Sequence, residues 1–302
     1  MTVAIIGLGI MGAAYAGNLL AAGVPVAGCD PDTDARARLT GLGGVAHDAP
    51  GPWVANCDLV IISVASPKVL GIVTTQLGGL LKPGQVVMET GTFAMADKLT
   101  ARDNLQVGGA VLLDTPVSGT GAQAAKGDLV IMASGPQEAI SQVRPLMDHL
   151  CHTVIMAGDY GAGSKLKYVA NHAVALHNCA AAEVLHYADA LGLDRDKVYH
   201  LLSKGAGQSR MLDLRMPLMM TASYTPATAH MAMFEKDLSI IGGDISAHGV
   251  SAPMFDVVKD MYDKAWTLLP HDYDTAAVFE VYRDLDTAPD AKGTNPKATD
   301  HY

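Results

Sequence analysis

Thr2-Val3-Ala4-Ile5-Ile6-Gly7-Leu8-Gly9-Ile10-Met11-Gly12 opens the chain as an apolar run followed by G-x-G-x-x-G. Ile10 to Ala22 is helical in composition, Val24 to Cys29 is a second β-rich run, and Asp30 stands 18 residues after Gly12. A glycine hexad between a buried strand and a helix, with an acid closing the next strand, is the pattern of a dinucleotide-binding β-α-β unit. Each glycine has its own task. Gly7 permits the tight turn, Gly9 lets a pyrophosphate reach bare backbone, and Gly12 lets the helix lie close on the strand. Gly7, Leu8, Gly9, Ile10, Met11 and Gly12 are the expected cofactor-binding residues, with the phosphates held by backbone N–H groups at the helix start. Asp30 is expected to accept from the ribose hydroxyls and to repel a 2′-phosphate, which selects NAD over NADP. It also precedes Pro31 and has the chemistry of a helix cap. Arg36 and Arg38 follow in the next helix and could soften the cofactor preference.

The same stretch carries no charged residue from Met1 to Cys29, so hydropathy alone suggests a membrane span or a secretory signal. A signal needs a basic start, which is absent, and a span needs about 20 apolar residues in one helix. Gly7, Gly9, Gly12, Gly17, Gly23 and Pro25 break this run into strand, turn, helix and strand. A soluble sheet is the better reading.

Outward from there, apolar runs recur at Asp58–Val64, Gln85–Glu89, Ala110–Leu113 and Leu129–Ala133, with helical stretches at Asp32–Leu42 and Pro67–Leu81. Strands apolar on both faces and separated by helices predict a mostly parallel, doubly wound sheet of Rossmann type, covered on both sides. The second half changes character. Gly163 to about Leu191 predicts one long helix near 30 residues, apolar on most faces and therefore covered by partners. Shorter helices are expected over Asp194–Leu202, Ser209–Met220, Ala227–Ala247 and Pro253–Leu268, with no strand after about Ala157. The expected organisation is a dinucleotide-binding domain over 1–160, an all-helical domain over 161–286 joined by the long helix, and a polar tail over 287–302.

Composition excludes whole classes. Twenty-one Lys and Arg against 31 Asp and Glu leave a net charge of −10, with no basic block for a nucleic acid to meet. With 49% apolar residues in 302, the chain can fill sizeable cores. Cys29, Cys57, Cys151 and Cys179 stand far apart, which fits reduced thiols in a cytoplasm better than a disulfide framework or zinc ribbon. No His-Glu-x-x-His is present, and no bound metal is expected.

Four motifs in this order resemble the β-hydroxyacid dehydrogenase family over about residues 2 to 285. They are the glycine hexad, Asp114-Thr115-Pro116-Val117-Ser118-Gly119-Thr120, Gly161-Ala162-Gly163-Ser164-Lys165-Leu166-Lys167 running on to Asn171, and Lys236-Asp237-Leu238. The resemblance implies that Lys167 is the catalytic residue and Asn171 its helper, that Ser118, Gly119 and Thr120 bind substrate, and that Lys236 contacts the cofactor. It also places cofactor contacts at Val64, Ala65 and Thr92, near the ends of the Asp58–Val64 and Gln85–Glu89 strands. Two departures stand out: Thr120 replaces a usual glycine, and Gly91 a usual serine.

The residues support the resemblance chemically. Lys167 and Asn171 are four apart and share a helix face. Interconverting an alcohol and a carbonyl needs a group that gives and takes a proton, and a lysine whose pKa desolvation has lowered can serve. Ser118-Gly119-Thr120 follows a strand and a proline, where exposed N–H groups and hydroxyls can cradle a carboxylate. Lys165 projects elsewhere, and His172 and His177 either line the cleft or pack. The expected activity is NAD-dependent hydride transfer on a short 3-hydroxy acid of 3-hydroxyisobutyrate type, by a homodimer or homotetramer. The enzymatic rivals are an imine reductase and a phosphogluconate-type dehydrogenase, and a non-catalytic dinucleotide-binding protein is the third. Lys167 argues against the first and the last; the second also carries Lys and Asn four apart, but its His-Asn-Gly-Ile-Glu-Tyr stretch is replaced here by Ala170-Asn171-His172-Ala173-Val174.

Overall fold

The computed structural model describes residues 1–285; the expected tail over 287–302 lies outside them. The chain divides inside its longest helix into two compact units, Met1–Ala170 and a second beginning at Asn171.

The first unit is an α/β sandwich. Its strands are β1 (Val3–Ile6), β2 (Val26–Cys29), β3 (Val45–His47), β4 (Leu59–Ile62), β5 (Val86–Glu89), β6 (Val111–Asp114), β7 (Val117–Ser118), β8 (Val130–Ser134) and β9 (Thr153–Gly158). They form one sheet in the order β3-β2-β1-β4-β5-β6-β8-β7, with β9 on β8. The run β3 to β6 is parallel throughout, the 3-2-1-4-5-6 order of a doubly wound dinucleotide fold. Beyond β6 the sheet reverses: β8 is antiparallel to both β6 and β7, while β9 is parallel to β8.

The strands are apolar on both faces because helices cover both. Val3, Ile5, Leu59, Ile61, Val86 and Met88 point to one face, against Tyr15, Ala16 and Leu19 of α1 (Ile10–Ala21) and Ile140, Val143 and Leu146 of α6 (Gln137–Met147). Their alternates Ala4, Ile6, Val60, Ile62 and Val87 point the other way, against Leu70 and Leu77 of α3 (Pro67–Gly78) and Ala101 and Leu105 of α4 (Met95–Gln106). This is the period-2 alternation of a strand buried on both sides. Two short helices, α2 (Thr33–Gly41) and α5 (Gly121–Ala124), complete the unit.

α7 spans Ala162–Ala190 as one 29-residue helix. Within the second unit it is followed by α8 (Arg195–Lys204), α9 (Arg210–Thr221), α10 (Met231–Ala247), α11 (Pro253–Leu268) and α12 (Val278–Leu285). Leu212, Met216, Leu238, Ile241, Phe255, Met261, Tyr262, Val278 and Phe279 are buried there. Polar pins hold these helices: Asn178 of α7 donates to the Tyr262 hydroxyl at 3.1 Å, and Arg215 pairs with buried Asp274 at 2.9 Å.

β3, β7, β9, α4, α5, α6 and α12 are elements the sequence patterns did not announce. β3 is three residues long, and α4 is a polar helix whose apolar positions are few. The boundary between the compact units lies inside α7, whose first turns are bonded into the sheet. Among the described residues, no helix is long and apolar enough to cross a membrane.

Candidate active site

The glycine turn is shaped by close packing. Gly7 has φ +94°, and a Cβ there would lie 2.2 Å from the Ser63 carbonyl oxygen; one on Gly12 would lie 1.9 Å from the Gly7 oxygen. Any side chain at either position would drive the turn apart. Gly9 differs, because a Cβ there meets nothing within 4 Å. The protein's own packing leaves that space open, while the first-turn N–H groups of α1 have no intrahelical acceptor and the first turn itself holds no acidic residue. This cradle fits a dinucleotide pyrophosphate.

Asp30 closes β2 and is held by two backbone donors. Leu8 N–H donates to its Oδ2 at 2.8 Å and Asp32 N–H to its Oδ1 at 2.9 Å. The cap of α2 is Asp32, which accepts from Asp34 N–H, so Asp30 is not the helix cap. Arg36 turns back on the loop, donating to the Asp30 and Pro31 carbonyls at 2.7 and 2.8 Å and to Thr33 Oγ1 at 3.1 Å.

Because β1, β2, β4, β5 and β6 are parallel, the residues that follow them gather on one edge of the sheet. Gly7 to Gly12, Asp30, Val64, Ala65 and Thr92 all stand at this edge. Val64 and Thr92 are half-buried and Ala65 is exposed. Ser118, Gly119 and Thr120 extend past it, and their loop touches the glycine turn: a Cβ on Gly121 would lie 2.5 Å from Ile10 Cγ2. Gly119 has φ +139° and sits against Leu129, so a larger residue is excluded on two grounds. The N–H of Thr120, expected among the carboxylate donors, is taken up within the loop. It donates to Gln123 Oε1 at 3.0 Å, while the Thr120 hydroxyl accepts from Gln123 N–H in a capping box. The free donors of that cradle are therefore fewer than the sequence suggested.

α7 begins in contact with strand backbone. A Cβ on Gly163 would lie 2.4 Å from the Met132 oxygen, and its N–H donates to Ser134 Oγ at 3.0 Å. Ser164 donates to buried Asp114 through both N–H and Oγ, at 2.8 Å each. The Tyr168 hydroxyl donates to the Phe93 carbonyl at 2.5 Å. Lys167 follows Ser164 by three residues and is half-buried, whereas Lys165 is exposed.

One turn beyond Lys167, Asn171 is buried and its Nδ2 donates to Asp237 Oδ2 at 2.8 Å. Lys236 Nζ lies 2.9 Å from the other oxygen of the same carboxylate. Asp237 is a functional candidate that residue-by-residue reading passed over; its place inside Lys236-Asp237-Leu238 was the available signal. Its carboxylate fixes the Asn171 amide and leaves the amide oxygen as an acceptor. His172 packs edge-on against Phe255 at 4.8 Å between centroids, and His177 is exposed. Among the described residues, no group of three or more His, Cys, Asp or Glu side chains is arranged to hold a metal ion.

Comparison with known proteins agrees with this geometry. Residues 2–158 match the family described as the NAD-binding domain of 6-phosphogluconate dehydrogenase. Residues 161–282 match the family described as NAD-binding of NADP-dependent 3-hydroxyisobutyrate dehydrogenase. An L-threonate dehydrogenase of Cupriavidus necator is 31% identical over 286 residues, covering 93% of this chain and 95% of its own. A crystal structure of 3-hydroxyisobutyrate dehydrogenase from Salmonella typhimurium superposes with TM-score 0.84 at 30% identity, over 93% of this chain and 99% of the other. The Mycobacterium tuberculosis 3-hydroxyisobutyrate dehydrogenase solved with L-serine gives TM-score 0.85 at 26% identity, over the same shares. With its glycine turn, its Lys167–Asn171 helix and full-length likeness to these enzymes, the chain belongs to the β-hydroxyacid dehydrogenase family, whose dinucleotide-binding domains it carries.

Proposed function

We propose that this chain is an NAD-dependent dehydrogenase of a short 3-hydroxy acid, 3-hydroxyisobutyrate-like, with Lys167 as general acid and base. The observation that carries the reading is the Lys167–Asn171 pair on α7, anchored by Ser164 at the sheet and by Asp237 at the amide. Bound at the glycine turn, the nicotinamide dinucleotide supplies the hydride acceptor. Lys167 takes the proton of the substrate hydroxyl as the carbonyl forms, and returns it to the oxygen in the reverse direction. The Asn171 amide oxygen accepts from the Lys167 ammonium or from the substrate hydroxyl. Ser118 and Gly119 hold the carboxylate, and the Thr120 methyl narrows the space beside it. Val64, Ala65 and Thr92 are assigned to the cofactor, and the family resemblance gives Lys236 of the second unit the same role.

NAD over NADP rests on Asp30, whose charge would oppose a 2′-phosphate, and on Arg36, whose guanidinium is taken up by the loop. The names of the relatives span L-threonate and 3-hydroxyisobutyrate, so both acids belong in the assay. The active unit is a homodimer or homotetramer: Val169 and Tyr187 of α7 are 69% and 64% exposed, apolar surface that a second copy would cover. Four buried free thiols suit a reducing cytoplasm. The test is a screen of short hydroxy acids with NAD and NADP in parallel. NADH formation with at least one 3-hydroxy acid supports the reading, and a screen without turnover on any of them removes it.

A further inference from the structure

A fully buried lysine lies behind the edge that carries the site. Lys98 of α4 places Nζ 2.5 Å from Glu89 Oε2 and 2.7 Å from Asp114 Oδ1, and donates to the Gly91 carbonyl at 2.9 Å. Burial by itself would strip its proton, but Glu89 and Asp114 outweigh that and hold it above the ordinary lysine range. Burial likewise pushes the Glu89 carboxyl up, with Lys98 pulling it back. Replacing such a buried ionic group with apolar packing is often neutral or stabilising, so a gain in stability does not by itself account for it.

The geometry is a link between two segments far apart in sequence. On one side, Glu89 Oε1 accepts from Gly91 N–H at 2.6 Å. A Cβ on Gly91 would lie 2.8 Å from that oxygen and 2.4 Å from the Phe93 ring. The glycine that departs from the family serine thus makes room for the Glu89 carboxylate, which holds the loop leading to Thr92. On the other side, Asp114 accepts from Lys98 and Ser164 Oγ on one oxygen, and from Ser164 N–H and Ser134 Oγ on the other. Two outer clasps repeat the connection: Tyr168 to the Phe93 carbonyl, and Tyr160 to the Lys98 carbonyl at 2.9 Å.

We propose that Lys98 is a positioning residue: through Glu89 and Asp114 it locks the Thr90–Phe93 loop to the first turn of α7, so that Thr92 and Lys167 hold one register. The catalytic part of this inference rests on the roles given to Thr92 and Lys167 above; the mechanical part stands without them.

Lys98→Met is the direct variant but leaves two buried carboxylates facing each other, so milder cuts on either side of the hub carry the test. Ser164→Ala removes only the hydroxyl on Asp114, and Glu89→Gln keeps the shape while removing the charge. Amide hydrogen exchange of the unliganded full chain is read in both segments, and kcat and KM in the holoenzyme. Ser164→Ala should raise exchange in 90–95, and Glu89→Gln in 163–169, by about tenfold, while kcat falls about tenfold with KM changed less than about threefold. The double variant should lose no more than the worse single one, as partners in one network do. Exchange changes confined to the substituted segment, or unchanged kcat in folded variants, would overturn the proposal. A wild-type chain that turns over none of the short 3-hydroxy acids in the screen overturns the function reading instead, and the exchange data then decide the coupling by themselves.

Discussion

The cofactor turn and the foot of α7 stand on the same sheet edge and are built by opposite means. The turn is steric and local: Gly7, Gly9, Gly12 and Asp30 lie within 24 residues, and what matters is where side chains are missing. The foot of α7 is polar and dispersed, joining Glu89, Lys98, Asp114, Ser134 and Ser164 through buried hydrogen bonds and ion pairs. A site can thus be half shape and half wiring, and the two halves should fail differently. Disturbing the turn costs stability or binding; disturbing the foot costs catalytic geometry.

The largest effect expected from breaking this contrast is at Gly12. With a Cβ driven to 1.9 Å from the Gly7 carbonyl, Gly12→Ala should lose about 3 kcal/mol or more of stability and all measurable NADH binding, read by urea unfolding and fluorescence titration. A variant with wild-type stability would show that the turn is not sterically determined. Next comes Asp30. Its carboxylate should give NAD a preference over NADP of about 10²-fold in kcat/KM, roughly 3 kcal/mol, and Asp30→Ala should shrink it mainly through KM for NAD. Equal or better use of NADP by the native chain would transfer control of that position to the arginines.

Asp237→Asn sharpens the polar side. The variant keeps the shape but weakens the grip on Asn171 and on Lys236, so kcat should fall about tenfold while dinucleotide affinity changes by less than about threefold. Loss of NADH affinity with normal kcat would assign Asp237 to the cofactor instead. The smallest effect is a null result at the thiols. Burial pushes Cys29, beside the turn, and Cys179, on α7, both up to about 12. Neither thiol should react with a disulfide reagent at neutral pH unless urea is present. Rapid labelling of the native chain would mean that the packing beside the turn, at Cys29, or among the helices of the second unit, at Cys179, opens readily.

The same contrast explains what could be read from sequence. The turn, the mostly parallel sheet and the long helix were legible because their causes are local: a spaced run of glycines, apolar runs, one uninterrupted stretch. Lys98 was not, since a lone lysine in a polar helix reads as solvated until the fold brings Glu89 and Asp114 to it. Asp237 was quoted within its motif, but its hold on Asn171 spans 66 residues and needs the helices in place. Thr120 shows the reverse error. Its N–H was expected to be free, and Gln123, three residues on, takes it through a capping box that the local sequence already contained.

The most direct test of the central claim separates binding from chemistry at Lys167. Lys167→Ala should bind NADH with an affinity close to that of the native chain, while kcat for the preferred hydroxy acid falls at least about 10²-fold, the usual scale for losing a general acid and base. Near-native turnover by a folded, NADH-binding Lys167→Ala would contradict the account.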